Sequence, residues 1–376
     1  MKVLVFNNCA PSLKGGGAER TYFIYCETLV EIGFEVYAVF PDRFLNQLDN
    51  GYKFRIKTFS DSLNISGYTL SFVTLNRVIR EINPDILHLL DGLTPTDLLI
   101  IILNKLLIKK PLYIDAIALY RNPAFNMLVR LQMPIYNLAD GIAVSNPNLK
   151  KTLRHCLVKP AKILDYNPLF IDIQKAPVSD LREKKKAFNF IFIGVLDDSH
   201  SYKGLDLLLN LFLYLKRLET KNQNIILSVI GGGAQLDYYK SLALKYDLNN
   251  IIFKGYVSNL QNEFKDADAL ILPSKRRGEG FGKVILEALM QNVPVLVSEF
   301  AGGSYLVKEF NVGRTFNPYN PKMGAKVLLE FYQECTEGRY EKNIRDFQGI
   351  ILAERDKSLN SITQMYKRSS KRVLDE

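Results

Sequence analysis

Residues 1–40 read MKVLVFNNCAPSLKGGGAERTYFIYCETLVEIGFEVYAVF, and the changes of pattern within them set the architecture. Lys2 to Asn7 is dense in Val, Leu and Phe, which predicts a buried first strand rather than a leader, since the apolar run before Asn7 and Asn8 is far too short for a signal-peptide core. Gly15, Gly16 and Gly17 follow as a loop. From Ala18 to Ile32, Tyr22, Cys26, Leu29 and Val30 recur at helical spacing, and Gly33 stands where a left-handed cap ends a helix. Phe34 to Phe40 then predicts a second strand. Strand, glycine loop, helix and strand, joined this closely, form the unit of a parallel sheet covered by helices.

The unit recurs outward along the chain. Asp85 to Leu89, Leu112 to Ile117 and Gly141 to Val144 predict further strands of a first domain, residues 1–165. Residues 166–186 hold Pro168, Pro177 and the basic run Arg182 to Lys186, which predicts a linker. A second series begins at once, with strands expected at Phe188 to Gly194, Ile225 to Ile230, Ile251 to Phe253, Ala269 to Pro273 and Val293 to Ser298, in a domain of residues 187–349. Gly231, Gly232, Gly233 and Ala234 echo Gly15 to Ala18, each time after an apolar strand and before a helix. Beyond Pro321 the pattern is helical and polar, and residues 350–376 predict a terminal helix. The fold class expected is α/β, with two doubly wound parallel-sheet Rossmann-like domains.

A chain of 376 residues with 47% hydrophobic and 23% charged residues has material for two cores, and its composition excludes disorder. The net charge of +10 favours anionic partners without choosing among them. Cys9, Cys26, Cys156 and Cys335 lie far apart with no CxxC pair, so neither a disulfide framework nor a zinc site is expected, and a reducing, cytoplasmic setting is. Leu98 to Ile108 is the longest apolar run, broken by Asn104 and Lys105; it is short of the roughly 18 residues a membrane span needs. A buried or surface helix, or a shallow membrane-docking element, remains open there.

Chemistry concentrates in residues 273–291, PSKRRGEGFGKVILEALMQ. A strand ends, a loop carrying Glu279, Gly280, Phe281 and Gly282 follows, and a helix begins. Glu287 stands among Val284, Ile285, Ala288 and Leu289, where a carboxylate is costly unless hydrogen-bonded. Vicinal sugar or ribose hydroxyls would satisfy it, as would a neighbouring element that it caps. Asp266 and Asp268 spell DxD, but their junction of helix end and buried strand predicts capping or surface residues, and no metal is expected.

The two glutamates fit the EX7E motif, and with GGGAER, SYKGLDLLL, FKGYVS and EGFGKVILEA in this order the chain resembles glycosyltransferase family four, retaining enzymes of the GT-B architecture, over nearly its full length. The resemblance implies two domains facing a central cleft, a nucleotide-sugar donor held mainly by the second domain, no cofactor and no metal. It implies that Glu279 contacts the donor sugar, that Phe281 and Gly282 offer backbone amides, that Glu287 holds the ribose, and that Lys203 neutralises the departing diphosphate. Gly15, Gly16 and Gly17 would approach the donor phosphates and the acceptor; Lys254, Gly255 and Tyr256 would lie at the base, with a UDP- or GDP-sugar expected. The last helix would cross back to the first domain.

The sequence departs from the family pattern at three places. Val195 and Leu196 stand where an arginine is common, and Arg276 or Arg277 is the expected substitute. Asp115 stands where a histidine is common, with a sugar hydroxyl as its expected partner. Gly302, Gly303, Ser304 and Tyr305 lack the acid of GGxxE. His88 is open to an acceptor-side role or to burial among its neighbours, and no constellation is evident around His155 or His200. The function expected is transfer of a hexose-type sugar to a saccharide or lipid-linked saccharide in surface polysaccharide synthesis, at the cytoplasmic side of an anionic membrane. The alternative is a non-catalytic partner subunit that binds a nucleotide sugar or another transferase. A dinucleotide fingerprint fails because Arg20 stands at its third glycine, and nucleic acid is not expected as a partner, since no basic stripe with interleaved aromatics appears.

Overall fold

In the computed structural model the described residues are 1–13, 17–60, 65–90, 95–116, 133–155, 157–171, 173, 187–218, 224–275 and 279–375. They form two compact units, one of Met1–Leu119 and Pro123–Ile173 with Ala353–Glu376, the other of Gln174–Leu352.

The first unit is built on a six-stranded sheet of β1 (Lys2–Phe6), β2 (Glu35–Pro41), β3 (Arg55–Phe59), β4 (Ile86–Leu90), β5 (Leu112–Ala116) and β6 (Gly141–Val144), in the order β3-β2-β1-β4-β5-β6 with every pair parallel. The central strands are buried along almost their whole length, as a parallel sheet covered on both faces requires. The helix Gly17–Glu31 buries Thr21, Tyr22, Tyr25, Cys26, Thr28 and Leu29, a stripe at spacings of three and four. It ends as expected at Gly33, φ +96°, where the amides of Gly33 and Phe34 reach back to the carbonyls of Val30 and Leu29. Ile362 and Tyr366 of the terminal helix Glu341–Asp375 enter the same core.

The apolar run resolves into the helix Pro95–Leu103 and one π-turn, Asn104–Ile108. Asn104 is buried, and its side chain both donates to the Lys110 carbonyl at 2.8 Å and accepts from the Lys110 amide at 2.9 Å. Lys109 closes the turn at φ +56°. Ile102, Leu106 and Leu107 are left 40%, 65% and 50% exposed.

The second unit repeats the plan with β7 (Phe188–Ile193), β8 (Ile225–Ile230), β9 (Ile251–Gly255), β10 (Ala269–Leu272), β11 (Val295–Ser298) and β12 (Gly313–Phe316), ordered β12-β11-β10-β7-β8-β9 and all parallel. The helices Leu205–Arg217 and Pro321–Thr336 pack on it, with Phe190 against Phe331.

Three expectations need correction. β3 and β12 were not expected; each lies at a sheet edge, where half-exposed residues such as Arg55, Lys57 and Arg314 dilute the apolar signal. Residues 166–173 are not linker at their start: Tyr166, Pro168, Leu169, Phe170 and Ile171 are buried in the first unit. The terminal helix begins at Glu341, nine residues before its expected start at 350.

Candidate active site

In a doubly wound sheet, loops from adjacent strands diverge at the point where the strand order reverses, and ligands bind beyond the carboxyl ends there. In the second unit that point lies between β7 and β10. The loop leaving β7 forms a 3-10 turn, Asp198–Lys203, whose N-cap Asp197 accepts the His200 amide. The loop leaving β10 carries Glu279. Lys203 Nζ donates to Glu279 Oε2 at 2.9 Å across the reversal, with the two side chains 17% and 10% exposed.

The setting is built by glycines. Gly204 has φ +76°, and a Cβ there would stand 2.1 Å from the Pro273 carbonyl oxygen, while the Lys275 amide donates to the Tyr202 carbonyl at 2.7 Å. The Lys203 turn is thereby laid directly on the exit of β10. A Cβ at Gly194 would meet Lys203 Cδ at 2.5 Å, so Gly194 opens the path the lysine follows. Gly282 turns the Glu279 loop at φ +84° into the helix Val284–Met290, and its carbonyl accepts the Ile285 amide. From the other side, the amides of Gly302 and Gly303 donate to the carbonyls of Glu279 and Phe281, at 3.3 and 2.7 Å. A Cβ at Gly302 would lie 1.8 Å from the Gly280 carbonyl oxygen. The glycine pair therefore supports the glutamate loop whether or not an acid follows it.

Burial by itself would lower the Lys203 pKa, yet the charge of Glu279, the Tyr202 hydroxyl, the Glu279 hydrogen bond and Glu287 together raise it. The ammonium is held charged. Glu287, half-buried on the helix Val284–Met290, adds its charge to that rise. Phe281 is buried, its ring edge-on to Tyr305.

Gly255 and Tyr256 join this rim through the β8 exit. Gly231 donates to the Gly255 carbonyl at 2.8 Å, and a Cβ on Gly231 would stand 1.8 Å from the Gly194 carbonyl oxygen. Tyr256 is exposed, whereas Lys254 turns to Glu263 at 2.6 Å. Gly17 is exposed at the start of its helix in the first unit; Gly15, Gly16 and Arg277 lie outside the described residues.

Asp115 does not stand as a sugar contact. It is 0% exposed inside the first unit, where Tyr166 donates to its Oδ1 at 2.6 Å and His88 Nε2 lies at 3.1 Å. His88 is likewise fully buried and also meets Tyr25 and Tyr366, so burial among its neighbours is the reading that holds for it. Asp268 accepts the Asn189 amide at 2.7 Å at the opening of β7, the end of the strand away from Lys203, as a capping residue does. Among the described residues no group of His, Cys, Asp and Glu side chains is arranged to hold a metal ion. Missed in the sequence were the pairing of Asp197 with His200 and the packing of Gly231 on Gly194. The first was legible as an N-cap three residues before its partner.

Comparison with known proteins adds to this geometry. Residues 175–346 match the family model described as Glycosyl transferases group 1. A 41.2 kDa protein of the cps region of Klebsiella pneumoniae is 26% identical over 238 residues, which cover 62% of this chain and 58% of that protein. The O-antigen chain mannosyltransferase C of Escherichia coli is 25% identical over 243 residues, covering 60% of this chain and 62% of that one. The matched stretches therefore span somewhat over half of these relatives' lengths. Among solved structures, Anabaena HepE in complex with UDP-glucose superposes with a TM-score of 0.71 over 97% of this chain and 100% of that one, at 15% identity. At that identity the likeness speaks for the fold alone.

Proposed function

From a chain that has the GT-B fold and matches the group 1 glycosyl transferase family model over residues 175–346, we propose a retaining, metal-independent enzyme that moves a hexose-type sugar from a nucleotide-sugar donor to a saccharide or lipid-linked saccharide. The observation that carries the reading is the Lys203–Glu279 pair, held across the strand-order reversal of the second unit on glycine-built loops. A cation there meets the charge that develops on a departing diphosphate, and preorganised stabilisation of this kind commonly contributes more to catalysis than any other single effect. Glu279, released from Lys203 by the diphosphate, would turn to the sugar hydroxyls. Glu287 would accept from the ribose, and Gly255 and Tyr256 would border the base.

The similarity to a protein of a cps region and to an O-antigen chain mannosyltransferase supports an acceptor that is a growing surface glycan. Exposed Ile102, Leu106 and Leu107 beside Lys105, Lys109 and Lys110 support work at the cytoplasmic face of an anionic membrane. No described helix is long and apolar enough to cross one.

The test is thermal stability of the whole chain against UDP-, GDP-, ADP- and CMP-sugars, with Glu287→Ala as control. A ligand that binds only the folded state raises the midpoint by mass action. A shift specific to one base and lost in the variant is expected. A wild-type chain that none of the donors stabilises would sink the reading.

A further inference from the structure

Among the described residues, three lysines on the rim of the second sheet are already matched. Lys203 pairs with Glu279, Lys254 with Glu263, and Lys275 with Asp206 at 2.9 Å. A donor diphosphate carries more negative charge than one matched lysine offsets, and among the described residues the same loop offers a further group shaped to meet it. His200 sits in the same 3-10 turn as Lys203, three residues earlier, and side chains three apart eclipse in a 3-10 helix. Imidazole and ammonium thus share one face of the turn, flanking the Tyr202 ring at 5.7 and 5.6 Å.

The imidazole is oriented. Its Nδ1 lies 2.7 Å from Asp197 Oδ1 and 2.9 Å from Ser199 Oγ, and Asp197 also accepts the His200 amide at 2.8 Å. Asp197 is fixed in turn by capping the helix. Burial would raise the Asp197 carboxyl, but the hydrogen bonds from His200 and Ser199 and the His200 charge hold it below the ordinary range. Nδ1 therefore keeps its proton toward Asp197, while Nε2 makes no hydrogen bond among the described residues and the ring is 29% exposed. A carboxylate on one imidazole nitrogen determines what the other nitrogen does.

We propose that His200, positioned by Asp197, is a second diphosphate-binding residue, its protonated ring donating from Nε2 to a phosphate oxygen beside Lys203. The assignment rests on the donor reading above. Asp197 balances the charge of the ring. No bond other than hydrogen bonds forms or breaks. Among the described residues Asp197 pairs with His200, Lys203 with Glu279, and Asp198 is engaged by Gln235 at 2.6 Å.

Calorimetric titration of the full chain with UDP, GDP and ADP and their monophosphates tests this. The expected result is that His200→Gln weakens diphosphate binding ~10-fold, the weight of one charge-assisted hydrogen bond, and monophosphate binding much less. His200→Lys should retain diphosphate affinity. Asp197→Asn should weaken diphosphate binding, since the ring loses the carboxylate that orients it. Equal weakening of mono- and diphosphates, or unchanged diphosphate binding in His200→Gln, would overturn the assignment and leave the donor reading standing. A wild-type chain that binds none of the three diphosphates would overturn both.

Discussion

Gly204 follows Lys203 with a positive φ and the Pro273 carbonyl against its Cα, so no side chain fits without moving either the turn or the strand exit. Gly204→Ala is expected to cost about 1–3 kcal/mol, the range for a strained backbone position, read as a lower denaturant midpoint. Gly302→Ala should act on the other loop, since its Cβ would strike the Gly280 carbonyl and displace Glu279. Its signature is loss of nucleotide-sugar affinity beyond what its change in stability accounts for. Lys203→Met removes the cation and leaves Glu279 half-enclosed without its partner. Diphosphate affinity should fall at least ~10-fold, and retention of wild-type affinity would deny the lysine its role. Much of this was legible: Lys203, Glu279 and the glycines between 280 and 282 are local motifs. Asp115 was not, because the sequence shows a carboxylate at a strand end and says nothing about Tyr166, 51 residues on, which closes over it.

At the level of the element, the interior strands were readable because burial on both faces makes β1, β4 and β10 almost continuously apolar. β3 and β12 border the sheets, keep polar side chains, and so lack that signature. The apolar run 98–108 left buried helix and docking element open, and the structure divides it: Ile100, Ile101 and Leu103 go inward while Leu106 and Leu107 stand out on a turn fixed by Asn104. Full-length protein is expected to sediment with anionic liposomes at low salt, with each nearby lysine adding roughly 1 kcal/mol. Leu106→Ser with Leu107→Ser should abolish most of that binding while leaving the thermal midpoint within a degree or so of wild type, as exposed positions allow. Equal sedimentation of the double variant would remove this turn from membrane contact.

Across the whole molecule, the first unit is completed by the end of the chain. Tyr366 lies fully buried, 278 residues from His88, with which it shares a hydrogen bond, and its ring packs on Phe34 and Tyr113. Tyr366→Ala should cost about 3–5 kcal/mol, as removal of a large buried aromatic does. Tyr366→Phe should cost about 1–3 kcal/mol, the weight of leaving a buried polar group short of its partner. Equilibrium unfolding of the full chain separates the two. A phenylalanine variant as unstable as the alanine one would mean that the hydroxyl, and not the ring, dominates.

The sequence by itself determined two doubly wound parallel sheets and the position of a glycine-lined loop beside Glu279, because strand burial, helical periodicity and cap residues act over a few residues and leave local traces. It also determined that Lys203 follows one strand and Glu279 another. Only the tertiary structure decided that these two strands flank the reversal in sheet order, which brings side chains 76 residues apart to 2.9 Å. The same holds for Asp115, expected at a sugar hydroxyl, and for His88, open between acceptor and core: Tyr166 and Tyr366 meet them inside the first core. The cost of burying a charge or a polar group is set by whatever packs against it, and in this fold those neighbours come from distant parts of the chain.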